Sequence, residues 1–410
     1  NIKMTKLLQI NITANWGSHG KIAEGIGKLA ISKGWDSYIA YGRWSNPSTS
    51  VLYHIGSMID ERIHGVFSRI FDNHGLMSKH ATKNLIKFIE EIDPDIIHLH
   101  NIHGYYLNYP MLMNYLARSN KIVVWTLHDC WPYTGHCAHY MYVKCNKWQK
   151  HCHNCIQKNA YPCSLLYDHS SRNYSLKKKY FLLIPKLTIV PVSKWLENEL
   201  QKSFLSSIPC HQIYNGINLD VFKPSFNINI RKQFEISEST KIILGIASNW
   251  YRKGLEDFIK LAGMVSSEYK IILVGINKND KKLIPANIIT ITRTENIDEL
   301  RNIYTQANVY FNPTQEDNFP TTNIESLACG TPVVTYNTGG SPEAIDSKTG
   351  FVIIDNNLLK AKECIEQICC SESSDNFSVA CRERAIKLYN MSARFEEYFN
   401  LYERLLKKDK

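Results

Sequence analysis

The sequence predicts an α/β chain of two domains, each a parallel sheet with helices on both faces, facing each other across a cleft. Three observations carry this expectation. The chain has 410 residues, more than one core usually fills, and domains of roughly 200 residues are the natural division. Short apolar runs alternate with helix-period segments, an order that builds a parallel sheet covered on both sides. That series lapses near residue 205, crosses a turn-rich stretch and starts afresh at Lys241. With 44% hydrophobic and 21% charged residues, the composition is that of a globular protein.

The elements follow in order. Lys6–Ile12 reads as a strand, and His19–Lys33 as a helix with Ile22, Ile26 and Leu29 on one face and Gly34 as its stop. Ser37–Tyr41 is a strand. Ile59, Ile63, Val66 and Ile70 mark a helix, and Leu85–Ile92 another. Asp95–His100 and Lys121–His128 are apolar strands. The pattern then stops from 130 to 164, a long insertion of the kind that is functional or stapled. Leu187–Val192 and Ser193–Lys202 resume it as strand and helix. Residues 206–225 read as a linker between an N-terminal domain (1–205) and a C-terminal one (226–390). In the latter, Lys241–Ala247, Tyr269–Val274, Ile288–Thr292, Val309–Asn312 and Thr331–Tyr336 are strands and Gly254–Val265 a helix. A last helix, about 391–410, is expected to pack back on the N-terminal domain.

Lys and Arg number 48 against 38 Asp and Glu, a net charge of +10. Such an excess suits a phosphate-bearing partner, or simple solubility. Arg172, Lys177, Lys178, Lys179 and Lys186 surround Tyr174, Tyr180, Phe181, Leu182, Leu183 and Ile184. This segment reads either as a packed surface helix or as a face resting on anionic headgroups. No run of eighteen apolar residues predicts a membrane-spanning helix. Asn1–Gln9 has no signal-peptide pattern, so a cytoplasmic location is expected.

Four motifs carry chemistry. Asn15–Gly20 is a turn after the first strand, where Gly17 and Gly20 let backbone N–H groups approach an anionic ligand at a helix start. His128-Asp129 ends a buried strand, where ligands of open α/β sheets bind. There His128 can donate to a sugar hydroxyl, and Asp129 can orient it or cap the next segment. His98 and His100 read as core histidines. Arg252 and Lys253 stand between a strand and a helix N-terminus, a natural diphosphate clamp. Finally, a strand ends in Gln315-Glu316-Asp317-Asn318-Phe319-Pro320, and a helix begins near Thr321. Thr321 and Thr322 can cap that helix and offer N–H groups to phosphate, while Asp317 and Glu325, eight apart, can accept from sugar and ribose hydroxyls. Asp93-Pro94-Asp95 matches a metal-diphosphate pattern but reads as a helix–strand turn.

Of twelve cysteines, six fall in the insertion: Cys130, Cys137, Cys145, Cys152, Cys155 and Cys163, among His136, His139, His151 and His153. Cys152-x-x-Cys155 has metal-ligand spacing, and Cys137 with Cys145 would complete a tetrahedral zinc site. Free thiols and disulfides stay open, because ribbon-type sites pair two close doublets.

The acidic segment resembles the E-x7-E region of retaining glycosyltransferases of family 4, which have the GT-B fold of two Rossmann-like domains. Asp317 stands where the family has its first glutamate, with Glu316 beside it as the alternative. Gly17–Gly20, Pro94–His98, His128, Asn215–Ile217 and Arg252-Lys253 resemble further family motifs in the same order. The cysteine block, with Trp131–Gly135, resembles an insertion of a family sub-group.

The resemblance implies catalytic roles for His128, Asp317 and Glu325, with donor contacts from Arg252, Lys253, Glu316, Thr321 and Thr322 and a ligand contact from Gly17 and Gly20. It implies a nucleoside-diphosphate-sugar as substrate rather than cofactor, and no cofactor for catalysis; the structural zinc rests on the cysteine spacing alone. The implied acceptor is a glycan or lipid-linked glycan in bacterial surface polysaccharide synthesis, at the inner face of the inner membrane. A sugar-nucleotide epimerase or phosphorylase of the same fold is the alternative. A zinc-containing nucleic-acid binder is remote, since the basic residues form no interleaved stripe.

Overall fold

The computed structural model describes residues 4–370 and 374–409. The chain forms two compact units, Asn1–Tyr214 with Phe395–Lys410, and Asn215–Arg394.

The first unit is built on β1 (Lys6–Ala14), β2 (Asp36–Ser45), β3 (Val51–His54), β4 (Ile96–Leu99), β5 (Ile122–Leu127) and β6 (Leu187–Pro191). They lie parallel in the order β3-β2-β1-β4-β5-β6. Every residue of β4 and β5 is buried, as a sheet covered on both faces requires. Helices start where side chains can serve their first N–H groups. Ser57, Asn108 and Ser193 accept from the N–H groups of Asp60, Met111 and Leu196. The last helix, Met391–Asp409, packs Phe395, Tyr398, Phe399 and Tyr402 into this unit. Phe395 enters because Gly25 has no side chain; a Cβ there would lie 2.1 Å from its ring. Tyr402 Oη meets His98 Nδ1 at 2.5 Å, and Thr126 Oγ1 donates to Tyr398 Oη at 3.2 Å.

The second unit holds β7 (Lys241–Ile246), β8 (Tyr269–Val274), β9 (Ile288–Ile291), β10 (Val309–Asn312), β11 (Val333–Tyr336) and β12 (Gly350–Ile353). Their order is β12-β11-β10-β7-β8-β9, again parallel. Ile243, Phe258, Leu273, Phe311, Val334 and Ile365 fill its core. In both sheets the strand order reverses beside the first strand, between β1 and β4 and between β7 and β10. Chains of this type bind ligands at the carboxyl ends of the strands flanking such a reversal.

Two edge strands, β3 and β12, were not expected from the sequence; each is four residues long. The insertion 130–164 contains only two single-turn helices, Trp131–Tyr133 and Lys147–Gln149. The basic segment forms a packed helix, Ser170–Phe181, with Lys178 and Lys179 left exposed. Tyr174, Lys177 and Phe181 point inward. The Lys177 ammonium donates to the carbonyls of Trp131 at 2.6 Å and Thr134 at 3.0 Å. Arg172 is tied to Asn73, and Lys186 to Asp409. Of the two readings of this segment, the structure shows the packed helix, with Lys177 inside. Asp93 ends the helix Lys79–Ile92 at φ 47°, and the Asp95 carboxylate accepts from the Lys6 N–H at 2.8 Å, so both serve a helix–strand turn.

Candidate active site

At the carboxyl ends of β7 and β10, two loops of the second unit meet. The β7 loop turns at Arg252, whose φ of 57° is left-handed for a non-glycine residue. Gly254 follows at φ +79°, where a Cβ would lie 2.5 Å from the Pro313 carbonyl oxygen. This close approach presses the β7 loop on the β10 loop. The Gln315 N–H donates to the Arg252 carbonyl at 2.9 Å. Across this seam Arg252 Nη1 reaches Glu316 Oε1 at 2.5 Å and Lys253 Nζ reaches Asp317 Oδ2 at 2.6 Å. Lys253 also donates to the Glu316 carbonyl at 2.9 Å. The expected basic pair and both candidates for the first carboxylate therefore form one cluster. Strain held by surrounding contacts, as at Arg252, clusters at functional positions.

The helix Thr321–Ala328 begins beside this cluster. The expectation that Thr321 or Thr322 caps it is corrected: Pro320 occupies the N-cap, and both threonines lie inside the first turn. Thr322 instead meets the Tyr310 hydroxyl. The first N–H groups of a helix have no partner within it, so this terminus can receive an anionic oxygen. Glu325 lies one turn on, its Oε2 accepting from Tyr304 Oη at 3.0 Å. Burial first, then the Glu325 charge, keep the Tyr304 phenol protonated. Asn323, fully buried, links β10 through Asn312 to Ser341, which fixes the helix start.

Next to the seam lies a cavity of about 440 Å³ at the ends of β7, β8 and β9, lined by Ala247, Gly275, Ile276, Thr292, Arg293 and Leu300, among others. Gly275 permits it. Its φ is +89°, and a Cβ would sit 1.7 Å from the Ala247 carbonyl oxygen. The sequence singled out none of these lining residues, because no motif marks them.

In the first unit, His128 follows β5 and His100 follows β4. His128 Nε2 and His100 Nδ1 lie 3.3 Å apart, and His100 Nε2 meets Gln9 Oε1 at 3.0 Å. The His19 ring centroid is 5.8 Å from that of His128, and Asn11 Nδ2 lies 3.0 Å from His19 Nδ1. Burial, then the neighbouring histidines His100 and His19, hold the His128 pKa well below its ordinary value. His19 falls to about 4, chiefly through burial. Burial thus favours the neutral form of these rings. Asp129 holds a different histidine: its Oδ2 lies 2.7 Å from His103 Nε2, while Oδ1 accepts the Trp131 N–H at 3.0 Å. His103 and His19 are the residues sequence reasoning passed over as site members, and His100 was assigned to the core. His98 is a core histidine, held between Thr126 and Tyr402.

The glycine turn after β1 has two different reasons for its glycines. Gly17, at φ +67°, opens the helix Gly17–Ser32, and nothing lies within 4 Å of a Cβ placed there. A Cβ on Gly20 would meet Thr13 Oγ1 at 2.6 Å. Cys137, Cys145, Cys152 and Cys155 come together around one small cavity of the first unit. Among the described residues, no three His, Cys, Asp or Glu side chains stand in metal-holding positions as they are. All twelve cysteines are free thiols.

With this geometry in hand, known proteins give context. Residues 30–221 match the family described as Glycosyltransferase Family 4, and residues 226–388 match Glycosyl transferases group 1. The putative colanic acid biosynthesis glycosyl transferase WcaC of Escherichia coli K12 is 22% identical over 422 residues, spanning 97% of this chain and 100% of its own. WaaG, a glycosyltransferase involved in lipopolysaccharide biosynthesis, superposes with a TM-score of 0.65 at 14% identity, over 97% of this chain and 99% of that one. Anabaena HepE in complex with UDP does so at 0.66 and 11% identity, over 98% and 100%. The two structural likenesses speak for the fold alone, and the two family matches, one in each unit, speak for the activity. The chain is a glycosyltransferase of family 4, with the GT-B fold of two Rossmann-like domains.

Proposed function

We propose that this enzyme moves a sugar from a nucleoside-diphosphate donor to a hydroxyl of a glycan or lipid-linked glycan, with retention of anomeric configuration, in bacterial surface polysaccharide synthesis. The observation that carries this is the seam where Arg252 and Lys253 meet Glu316 and Asp317 beside a helix N-terminus. As the glycosidic bond breaks, negative charge gathers on the leaving diphosphate. Two fixed cations and backbone N–H groups stabilise that charge more than the ground state, which is what raises the rate. Asp317 or Glu316 would accept from sugar hydroxyls and Glu325 from the ribose, with the nucleoside in the cavity bordered by Gly275 and Thr292. His128 would take a neutral hydrogen-bonding role towards the sugar. HepE is bound to UDP and to UDP-glucose in its crystals, which supports a nucleotide-sugar donor here, and WcaC supports a polysaccharide product.

A lipid-linked acceptor suits an apolar face of the first unit. Met58, Ile59, Ile63, Val66 and Phe67 of the helix Met58–Phe71 are exposed, as are Leu165, Leu166 and Tyr167, whose backbone joins that helix at Arg69 and Ile70. Arg62 and Arg69 are exposed on the same helix. An apolar face with cations fits an anionic bilayer surface, and no described helix is long and apolar enough to cross a membrane. The test of the donor reading is thermal unfolding with UDP-, GDP-, ADP- and dTDP-sugars. One base is expected to raise the melting temperature by several degrees at about 100 times its dissociation constant. No shift with any of them counts against the reading.

A further inference from the structure

The insertion 130–164 has almost no regular secondary structure, yet its interior is closely ordered around sulfur. Cys137, Cys145, Cys152 and Cys155, drawn from separate turns, line one cavity of about 20 Å³, about the room one water-sized particle needs. The thiols of Cys137 and Cys155 are in hydrogen-bond contact. The Gly135 N–H donates to Cys152 Sγ at 3.2 Å. That glycine is imposed by packing, since a Cβ would lie 2.2 Å from the Ser170 carbonyl oxygen.

A second observation points into the same cavity. His136, which also lines it, is wholly buried. Its Nδ1 is 2.7 Å from Asp72 Oδ1, and its Nε2 has no hydrogen-bond partner. A buried polar nitrogen without a partner, in the lining of a cavity of thiols, marks a place that an ion or a water can serve. Burial lowers the pKa of the Lys177 amine, which is bonded to the Thr134 and Trp131 carbonyls, to about 7, while Cys152 and Cys137 are close enough for it to feel their charge.

We propose that this cavity is a structural site for one Zn²⁺, bound through the thiolates of Cys137, Cys145, Cys152 and Cys155. Binding replaces four S–H bonds by four Zn–S bonds and releases four protons, leaving a cluster of charge 2− that Lys177 partly balances. The sulfurs must turn from their present hydrogen bonds towards the cavity centre, since no three of them stand in coordinating positions as they are. His136 lies beside the cluster as the neighbour oriented by Asp72. The site is independent of the donor reading, because every residue in it belongs to the first unit.

The test uses the full-length protein, purified under reducing conditions without chelator and dialysed against zinc-free buffer after exposure to Zn²⁺. Elemental analysis is expected to give about one zinc per chain. Adding a chelator should release it, lower the melting temperature by at least about 5 °C and make the four thiols newly reactive to a colorimetric reagent. Cys145→Ser and Cys152→Ser should each lose the metal, while His136→Asn keeps it. The wild-type chelation arm stands even if a variant fails to fold. Wild-type protein with no retained zinc, unchanged thiol reactivity on chelation, or metal retained in Cys152→Ser would overturn the proposal. Loss of zinc in a folded His136→Asn would overturn the four-cysteine assignment.

Discussion

Replacing Lys253 by alanine separates the work of the seam from its contribution to stability. In the structure Lys253 Nζ holds Asp317 at 2.6 Å and the Glu316 carbonyl at 2.9 Å. Its side chain is 30% exposed and that of Asp317 22%. A pair so wetted stabilises the fold by no more than about 1 kcal/mol, which lowers the melting temperature by roughly 2–4 °C in a unit of this size. A charge-assisted hydrogen bond to a diphosphate contributes about 1.5–3 kcal/mol. Losing it should weaken nucleoside-diphosphate binding roughly 10- to 150-fold. Calorimetric titration of wild type and Lys253→Ala with the responding nucleotide, beside melting curves of both, gives the two numbers. Binding intact within twofold would refute the clamp. A melting temperature lowered by more than about 10 °C would show instead that the seam is mainly structural.

Gly275→Ala must force φ +89° on an alanine and push its Cβ to within 1.7 Å of the Ala247 carbonyl oxygen. The expected cost is at least about 2 kcal/mol, with a melting temperature roughly 4–8 °C lower; an unchanged melting curve would contradict it. Lowering pH should destabilise the first unit. Burial depresses His19 to about 4 and both His64 and His98 to about 3, so the folded chain keeps them neutral while the unfolded chain protonates them below 6.5. Their stabilisation is complete above that pH and is lost as pH falls, by up to about 2 kcal/mol per histidine between pH 6.5 and 5. Urea unfolding at pH 7 and pH 5 reads this, and equal midpoints would count against it. Ile59→Asp with Leu166→Asp should abolish sedimentation with anionic vesicles and leave melting unchanged, because both residues are more than 60% exposed; undiminished sedimentation would remove the bilayer from the account.

Much of the fold was legible because parallel strands buried on both faces leave long apolar runs. Lys6–Ile12, Lys121–His128 and Lys241–Ala247 are of this kind, and their alternation with helices dictates the sheet type. The edge strands β3 and β12 were not, since four-residue strands at a sheet margin carry too little pattern. The donor-side residues could be read because a seam between two loops needs charge at fixed places, and Arg252, Lys253, Glu316 and Asp317 are contiguous pairs. Their mutual pairing was not readable, because it depends on Gly254 pressing one loop on the other. The histidine group was read only in part. His128 stood out at a strand end, but His19 and His103 reach it from a helix and from an irregular loop, with no local signal. Lys177 illustrates the reverse case. In sequence it is one of three consecutive lysines, and only the backbone carbonyls of Trp131 and Thr134 explain its burial.

The central claim is that a nucleotide-bound sugar is moved to another molecule with its configuration kept. Supplying the responding donor, labelled in its sugar, to the purified protein with and without a bacterial lipid-linked glycan fraction tests it directly. Proton NMR and mass spectrometry then follow the label. The account predicts that label leaves the donor only when the acceptor fraction is present and appears in a glycoside with the donor's anomeric configuration, with Lys253→Ala much slower. A donor converted to its epimer without acceptor, or a product of inverted configuration, would contradict it.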